Sequence, residues 1–161
     1  MSKNIGVRPR WLHRCATSLL LLVTSCSQVP PTSSAVIPPV PAGAARIWIY
    51  RAEGPYESQE RPYLRLNGQV AGISEPNGAL YRNVPPGRYT VSLDSYGVPY
   101  PNQFAQVDLG AGHEAFVKVS SMREKVGGEI GVGSRALFFT QLVAADAARA
   151  TIASTPFYGG S

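Results

Sequence analysis

Alternation of apolar and polar residues is the dominant pattern between positions 46 and 153. Side chains of a β-strand point to opposite faces in turn, so a period of two predicts strands with one buried face. Three stretches predict inward-facing side chains in this way, namely Tyr89, Val91 and Leu93, then Ala105, Val107 and Leu109, then Ala115, Val117 and Val119. The chain is therefore expected to build its core from strands.

Further strands follow from residue type and turn chemistry. Positions 46–52 are apolar on both faces, which is typical of an interior strand. Asn67-Gly68 separates two short strands, 63–66 and 69–73, and predicts a tight hairpin because both residues tolerate positive φ. In that register Leu64, Leu66, Ala71 and Ile73 are expected on one face. Strands are also predicted at 80–84 and 135–143.

The alanine-rich stretch 144–153 predicts a short helix, with Asp146 in its first turn and Arg149 three residues later. Ala145, Ala148 and Ile152 are expected to face the sheet. About seven strands joined by tight turns predict an all-β fold, an antiparallel β-sandwich over residues 46–153 with this helix after the last strand. Residues 154–161 are expected to be a flexible tail.

Residues 1–25 are typical of a secretory leader, with Lys3, Arg8, Arg10 and Arg14 before an apolar run at 16–23. Eight helical residues span about 12 Å, against about 30 Å for the core of a bilayer, so a permanent transmembrane helix is the weaker interpretation. The formal charge of +5 falls to nearly neutral without these four residues. Net charge therefore gives no support for a nucleic-acid partner.

Val23-Thr24-Ser25-Cys26 resembles the bacterial lipobox. The resemblance implies a diacylglycerol on the Cys26 thiol, cleavage before Cys26 and acylation of the new amine. Ser27, by resemblance to bacterial sorting rules, implies the outer membrane. The only other cysteine, Cys15, lies in the leader, so the mature domain would hold no free thiol. The alternative is an ordinary signal peptide that leaves Cys26 unmodified.

Residues 27–45 contain five prolines and no charged residue. Proline has no amide donor and a fixed φ, so Cys26 and this stretch, 26–45, are interpreted as a lipidated residue followed by a semi-rigid tether. Nineteen residues at about 3.1 Å each would reach at most about 60 Å. A proline-motif ligand for a partner is the alternative.

The residues expected in the mature chain supply little catalytic chemistry, and neither a cofactor, a metal nor a catalytic residue is predicted. His113 is expected to be an exposed turn residue, and the glycine-rich stretch 127–133 is expected to be a flexible connection and not a phosphate loop, since a strand follows it. The acidic residues are interpreted as solvated surface groups: Glu53, Glu57, Glu60, Glu75, Asp94 and Asp108. A hydrolase with a hidden acidic pair stays a distant alternative.

One stretch, 95–104, is a candidate binding loop. It carries Tyr96, Tyr100 and Phe104 beside Asn102, with two prolines that restrict the backbone. Aromatic rings next to an amide suit stacking on sugars or gripping peptides. The alternative is a loop that folds inward to close the core. Trp48, in the middle of a predicted strand, is expected in the core.

Three further segments carry a family resemblance: 45–51 (Ala-Arg-Ile-Trp-Ile-Tyr-Arg), 66–72 (Leu-Asn-Gly-Gln-Val-Ala-Gly) and 84–91 (Val-Pro-Pro-Gly-Arg-Tyr-Thr-Val). Behind a lipobox and a proline-rich stretch, they resemble a family of bacterial envelope lipoproteins known as domain of unknown function 2846. The Pro-Gly-x-Tyr-Thr-Val element is also similar to prealbumin-like sandwiches, and an Ig-like arrangement is expected. The family implies no catalytic residues.

These observations favour a non-enzymatic, lipid-anchored lipoprotein at the bacterial outer membrane, facing the periplasm, that acts as an interaction or structural module. Its expected partners are the membrane, through the acyl chains, and another envelope protein or cell-wall glycan. The alternative is a glycan- or peptidoglycan-binding sandwich that uses the aromatic loop.

Overall fold

A computed structural model describes residues 28–94, 103–128 and 131–161, and it contains two β-sheets and one short helix. The expected all-β class is confirmed. The elements are β1 (Ala45–Arg51), β2 (Tyr63–Leu66), β3 (Gln69–Ile73), β4 (Gly78–Val84), β5 (Gly87–Leu93), β6 (Ala105–Leu109), β7 (Glu114–Gly128), β8 (Gly131–Leu142), α1 (Ala145–Ser154) and β9 (Phe157–Gly160), with a 3-10 turn at Thr32–Ser34.

The strand order is β8-β7-β1-β4-β9 in one sheet and β3-β2-β5-β6 in the other. The described residues thus form nine strands, against about seven predicted. Two pairings, β1 with β7 and β4 with β9, are parallel, so the prediction of a wholly antiparallel sandwich is wrong. Parallel neighbours need a crossover. The chain supplies one through the second sheet before β7 and another through α1 before β9.

Strand β1 is buried along its whole length. Ala45, Ile47 and Ile49 belong to the cluster between the two sheets, and Trp48 and Tyr50 belong to a second cluster on the outer face of the five-stranded sheet. The expectation of an interior strand with two apolar faces is confirmed, as is the burial of Trp48.

The second cluster forms because α1 packs across the five-stranded sheet. Ala148 and Ile152 are buried there as expected, but Ala145 is exposed. It lies in the first helical turn, where the chain has only just left β8, and it therefore sits at the margin of the covered surface. Arg149 pairs with Glu114 of β7.

The hairpin of β2 and β3 has the predicted turn, with φ of 50° at Asn67 and 80° at Gly68. The register shifts between Leu64 and Arg65, which leaves Ala71 as the extra residue of a bulge. Leu66 and Ala71 still pack against the core. Ile73 pairs with exposed Tyr63 and is itself 42% exposed, so its predicted inward position is wrong.

The glycine-rich stretch belongs largely to a long hairpin. β7 and β8 pair from Val117–Leu142 up to Gly128–Gly131, and only positions 129–130 lie outside the described residues. The expected flexible connection is therefore wrong for positions 127, 128 and 131–133. Glycine weakens a strand but keeps both backbone hydrogen-bonding groups, so the ladder continues through it.

Residues 28–44, here called the strap, lie against the domain. Pro31 bridges to Pro156, Phe157 N donates to Pro30 O at 3.0 Å, and Thr32 donates to Thr155 O from both its amide and its hydroxyl at 2.8 Å. Ile37 packs on the second cluster. The expected free tether is wrong for these residues, because a proline lacks a donor but its carbonyl still accepts.

The expected flexible tail is also wrong. β9 pairs in parallel with β4, and Ala79 N donates to Pro156 O at 2.8 Å. The Phe157 ring stacks on Tyr81 with centroids 5.9 Å apart. Aromatic burial and the free backbone groups of β4 thus fix residues 155–161 to the sheet.

A buried arginine fixes the loop between β1 and β2. The Arg51 side chain is 1% exposed and donates to Glu60 O at 2.9 Å, to Ser58 O and to the Glu57 carboxylate at 3.4 Å. Glu57 in turn accepts from Ser121 N of β7 at 2.9 Å. Burial lowers the pKa of Arg51, and Glu57 opposes that shift. The loop is thereby attached to the five-stranded sheet.

We expect Arg51→Met to lower the free energy of unfolding by about 2–4 kcal/mol, because it leaves the carbonyls of Ser58 and Glu60 without their donor and Glu57 without its cationic partner. Chemical denaturation measures the change. The matched control is Arg88→Met, which removes an exposed pair with Asp108 and should cost less than about 0.5 kcal/mol. Equal effects for the two variants would contradict this role of Arg51.

Candidate functional site

The residues predicted from sequence fall mostly outside the described part of the chain: Cys26, Tyr96, Tyr100 and Asn102. Phe104 is described, immediately before β6, and its side chain is 47% exposed. The alternative in which the aromatic loop closes the core therefore does not hold for Phe104.

Both ends of the loop 95–102 are fixed to the sandwich. Before it, Asp94 N donates to Tyr63 O at 3.0 Å. After it, Gln103 O accepts from Thr140 N at 3.3 Å. The Thr140 hydroxyl lies 2.9 Å from Val91 O and 3.2 Å from Gln103 O, and it is buried. The positions of Asp94 and Gln103, on either side of residues 95–102, are therefore set by β2, β5 and β8.

A bidentate ion pair between Arg65 and Asp94 lies at the end of β5. Arg65 Nε lies 2.6 Å from Asp94 Oδ1 and Arg65 Nη2 lies 2.9 Å from Oδ2, while Nη1 donates to Gly68 O at 2.8 Å. These hydrogen bonds from Arg65 hold the pKa of Asp94 below its usual range. Hydrogen bonding to Asp94 likewise raises the pKa of Arg65.

A groove of about 450 Å³ opens on the outer face of the five-stranded sheet, between the strap and α1. Trp48 of β1 and Phe116 of β7 lie on its sheet side. Its other apolar lining comes from Ile37, Pro38 and Pro39 of the strap and from Ile152 of α1. The groove exists because the strap is docked over the sheet.

Glu114 is the polar centre of this groove. Its Oε1 accepts from Trp48 Nε1 at 3.0 Å and lies 4.0 Å from Arg46 Nη1, and its Oε2 accepts from Arg149 Nη2 at 2.6 Å. The guanidinium of Arg46 lies 4.1 Å from the centroid of the Tyr81 ring, and that of Arg149 lies 5.1 Å from the centroid of Phe116. Two arginines therefore share one carboxylate.

Only one of these two arginines is exposed to solvent. The Arg46 side chain is 3% exposed, whereas that of Arg149 is 61% exposed. The groove therefore combines an apolar lining, in which Trp48 and Phe116 are themselves nearly buried, with one accessible cation that is paired with Glu114, a combination that suits a ligand with an apolar body and an acidic group. The residues come from β1, β7 and α1, and the sequence gives no local signal that joins them.

A second cavity, of about 720 Å³, lies on the other side of the Glu114–Arg149 pair. Gly112 and His113 line it from the β6–β7 turn, and Ala144 lines it from the start of α1. His113 is exposed in that turn, as predicted. The Glu114–Arg149 pair therefore separates two adjoining concave surfaces.

Of the six acidic residues singled out from the sequence, four pair with arginines. The pairs are Glu57 with Arg51 (3.4 Å), Glu75 with Arg61 (2.9 Å), Asp94 with Arg65 (2.6 Å) and Asp108 with Arg88 (3.1 Å). Among residues 28–94, 103–128 and 131–161, no three His, Cys, Asp or Glu side chains are grouped so as to hold a metal ion.

No helix in the described part of the chain is long and apolar enough to cross a membrane.

Comparisons with protein-family models, with curated proteins and with solved structures find no match for this chain. The resemblance to domain of unknown function 2846 stays a prediction.

The Asp94–Arg65 pair predicts a pH dependence. The fold lowers the pKa of Asp94, so its stabilising effect is complete above the unfolded pKa of about 3.9 and disappears as pH falls through the folded value. Because Asp94 is exposed, Asp94→Asn should cost less than about 1 kcal/mol at pH 7. Denaturation midpoints from pH 7 to pH 2 measure whether the stability difference between the wild type and Asp94→Asn disappears as the pH falls.

The matched control for that series is Asp108→Asn, which removes an acid from the more exposed Arg88–Asp108 pair. We expect a smaller cost at pH 7 for this variant. A gap between the wild type and Asp94→Asn that stays constant down to pH 2 would contradict the assignment.

Proposed function

We propose that this protein is a lipid-anchored lipoprotein of the bacterial cell envelope, held at the outer membrane on its periplasmic side. It acts there as a non-enzymatic interaction or structural module. The observation that carries the proposal is Val23-Thr24-Ser25-Cys26 directly behind a basic segment and a leucine run. Each buried methylene of an acyl chain adds about 0.8 kcal/mol of membrane affinity, and several chains make the attachment effectively permanent.

Two features of the folded part support an interaction role. The groove places the exposed Arg149 beside an apolar lining that includes Trp48 and Phe116. Glu57, Glu75, Asp94 and Asp108 each pair with an arginine, which favours a structural role for these four carboxylates over the acidic pair that a glycosidase uses. The partner is an envelope protein or a cell-wall glycan.

The anchor is tested with the full chain expressed in a bacterium. We expect the mature protein to begin at Cys26, to carry the added mass of acyl chains in mass spectrometry and to float with membranes in a density gradient. Cys26→Ser should abolish the added mass and leave the protein in the soluble fraction. The matched control is Ser25→Ala, which keeps a small residue before the cysteine. An unmodified wild-type N-terminus would contradict the proposal.

A second proposal is that the module binds glycan or peptidoglycan through Tyr96, Tyr100, Asn102 and Phe104. It is supported by the exposed ring of Phe104 and by the fixation of both loop ends through Tyr63 and Thr140. A loop with fixed ends loses less conformational entropy when it binds. Stacked rings beside an amide suit the faces and hydroxyls of sugars.

We expect the double variant Tyr96→Ala/Tyr100→Ala to lower retention on purified cell-wall glycan at least tenfold, which corresponds to about 1.4 kcal/mol. Co-sedimentation with the insoluble glycan measures this. The matched control is Tyr56→Ala, since Tyr56 is an 85% exposed tyrosine on another loop. Retention that is equal in the wild type and the double variant would remove this loop from the proposal.

We also propose that the sandwich is Ig-like or prealbumin-like and that the chain is a relative of the envelope family named above. Support comes from Tyr89, whose hydroxyl donates to Pro85 O at 2.8 Å, four residues earlier. A tyrosine that bonds back to upstream backbone at a corner between sheets is a recurrent feature of Ig-like folds. Here it stands where the chain passes from β4 in one sheet to β5 in the other.

A further inference from the structure

The strap is fixed to the domain only a few residues after the proposed acylation site. Pro30 O accepts from Phe157 N, and Pro31 bridges to Pro156. Cys26 precedes Pro30 by four residues, and a fully extended chain of four residues spans at most about 14 Å. The segment between the lipid and the domain, residues 26–29 and here called the leash, is therefore much shorter than the roughly 60 Å that a free proline-rich tether would allow.

Strand pairing sets the direction of that leash. The bridge between Pro31 and Pro156 is antiparallel, so the chain followed backwards from Pro30 runs in the direction of β9. β9 runs from Phe157, opposite Ala79, to Gly160, opposite Tyr81, and Asn83 N then donates to Ser161 O. Asn83 lies opposite Arg46. Residues 28–29 therefore run toward the end of the sandwich at which β1 begins.

Three turns meet at this end, here called the near end: residues 41–44, 85–87 and 110–112. Gly112 N donates to Ala44 O at 2.7 Å, Val84 lies opposite Ala45, and Gly87 lies opposite Leu109. None of the three turns contains Lys, Arg, Asp or Glu, and eight of their residues are exposed: Pro41, Ala42, Gly43, Pro85, Pro86, Gly110, Ala111 and Gly112. The turns themselves would meet lipid headgroups without desolvating a charge, and the exposed charges beside them, Arg88 and Asp108, pair with each other.

The opposite end, here called the far end, has different chemistry. It is formed by the loop 52–62, by the extension of β7 and β8 beyond β1, by the start of β2 and by the end of β5. Its exposed residues include Glu53, Glu60, Arg61, Arg123 and Lys125. The chain leaves β5 for the segment 95–102 at this end, after Leu93.

We propose that the docked strap seats the near end of the sandwich on the surface of the lipid bilayer, with the far end directed away from the membrane. This inference rests on the proposed acylation of Cys26. Pairing of residues 30–32 with residues 155–157 converts the proline-rich segment from a spacer into a short attachment. The domain then works at the membrane surface, and Asp94 and Gln103, which flank positions 95–102, lie on the side that faces the periplasm.

Energy transfer from the protein to the membrane tests this orientation. The expected mature chain has no cysteine besides Cys26, whose thiol the proposed lipid occupies, so one added cysteine takes one donor dye. The near-end sites are Ala111→Cys and Ala42→Cys, and the far-end sites are Gln59→Cys and Arg123→Cys. All four positions are exposed, which limits effects on folding. The acylated proteins are reconstituted into phosphatidylcholine vesicles that carry an acceptor dye on the headgroup.

We expect transfer from both near-end sites to exceed transfer from both far-end sites several-fold, because transfer efficiency falls steeply with distance and β1 alone is about 20 Å long. A twelve-residue Gly-Ser insertion between Gln28 and Val29 lengthens the leash and should reduce the difference. The Cys26→Ser protein should show no transfer from any site.

The outcomes distinguish a failure of the proposed orientation from a failure of the proposed acylation of Cys26. Wild-type protein without acyl mass that does not float with vesicles would overturn the proposed anchor. Acylated, floating protein with equal transfer from the two ends, or with greater transfer from the far end, would overturn the orientation and leave the anchor standing. Agreement between the two sites at each end guards against disturbance by a single substitution.

Discussion

Burial of β1 on both faces is the constraint on which the rest of the structure depends. Ile47 and Ile49 need the four-stranded sheet as a cover, and Trp48 and Tyr50 need a second cover on the outside. Two sheets alone would leave the aromatic face of β1 in water. Helix α1, the strap and β9 supply that second cover, and the molecule consequently has three layers around a central strand.

The predicted features that the structure confirms are local in sequence. Three such features are the alternation in β5 and β6, the Asn67-Gly68 turn and the helix after β8. Each depends on residues a few positions apart, so the amino-acid sequence is enough to predict it. The bulge that turns Ile73 outward is a shift of one residue, which no alternation pattern reveals. The docking of the strap could not be predicted for a related reason. Proline content shows which backbone N–H donors are missing, but it does not show that a proline carbonyl accepts a hydrogen bond from β9.

The groove could not be read from the sequence. Its charged centre joins Arg46, Glu114 and Arg149, and its surface joins Trp48 to Phe116, through pairing of β1 with β7 and packing of α1. Each residue alone is compatible with an ordinary strand or an exposed helix face. The candidate aromatic loop around Phe104 could be predicted from sequence because its side chains are neighbours in the chain, and it stays a prediction.

The hydrogen bonds between Thr32 and Thr155 join positions 123 residues apart. Residues 30–32 are made early in synthesis, whereas their partners follow all of β1–β8 and α1. These hydrogen bonds cannot form before residue 155 has been synthesised. The strap therefore stays without its partner until the chain is nearly complete, and any process that acts on the N-terminal segment before then meets the strap undocked.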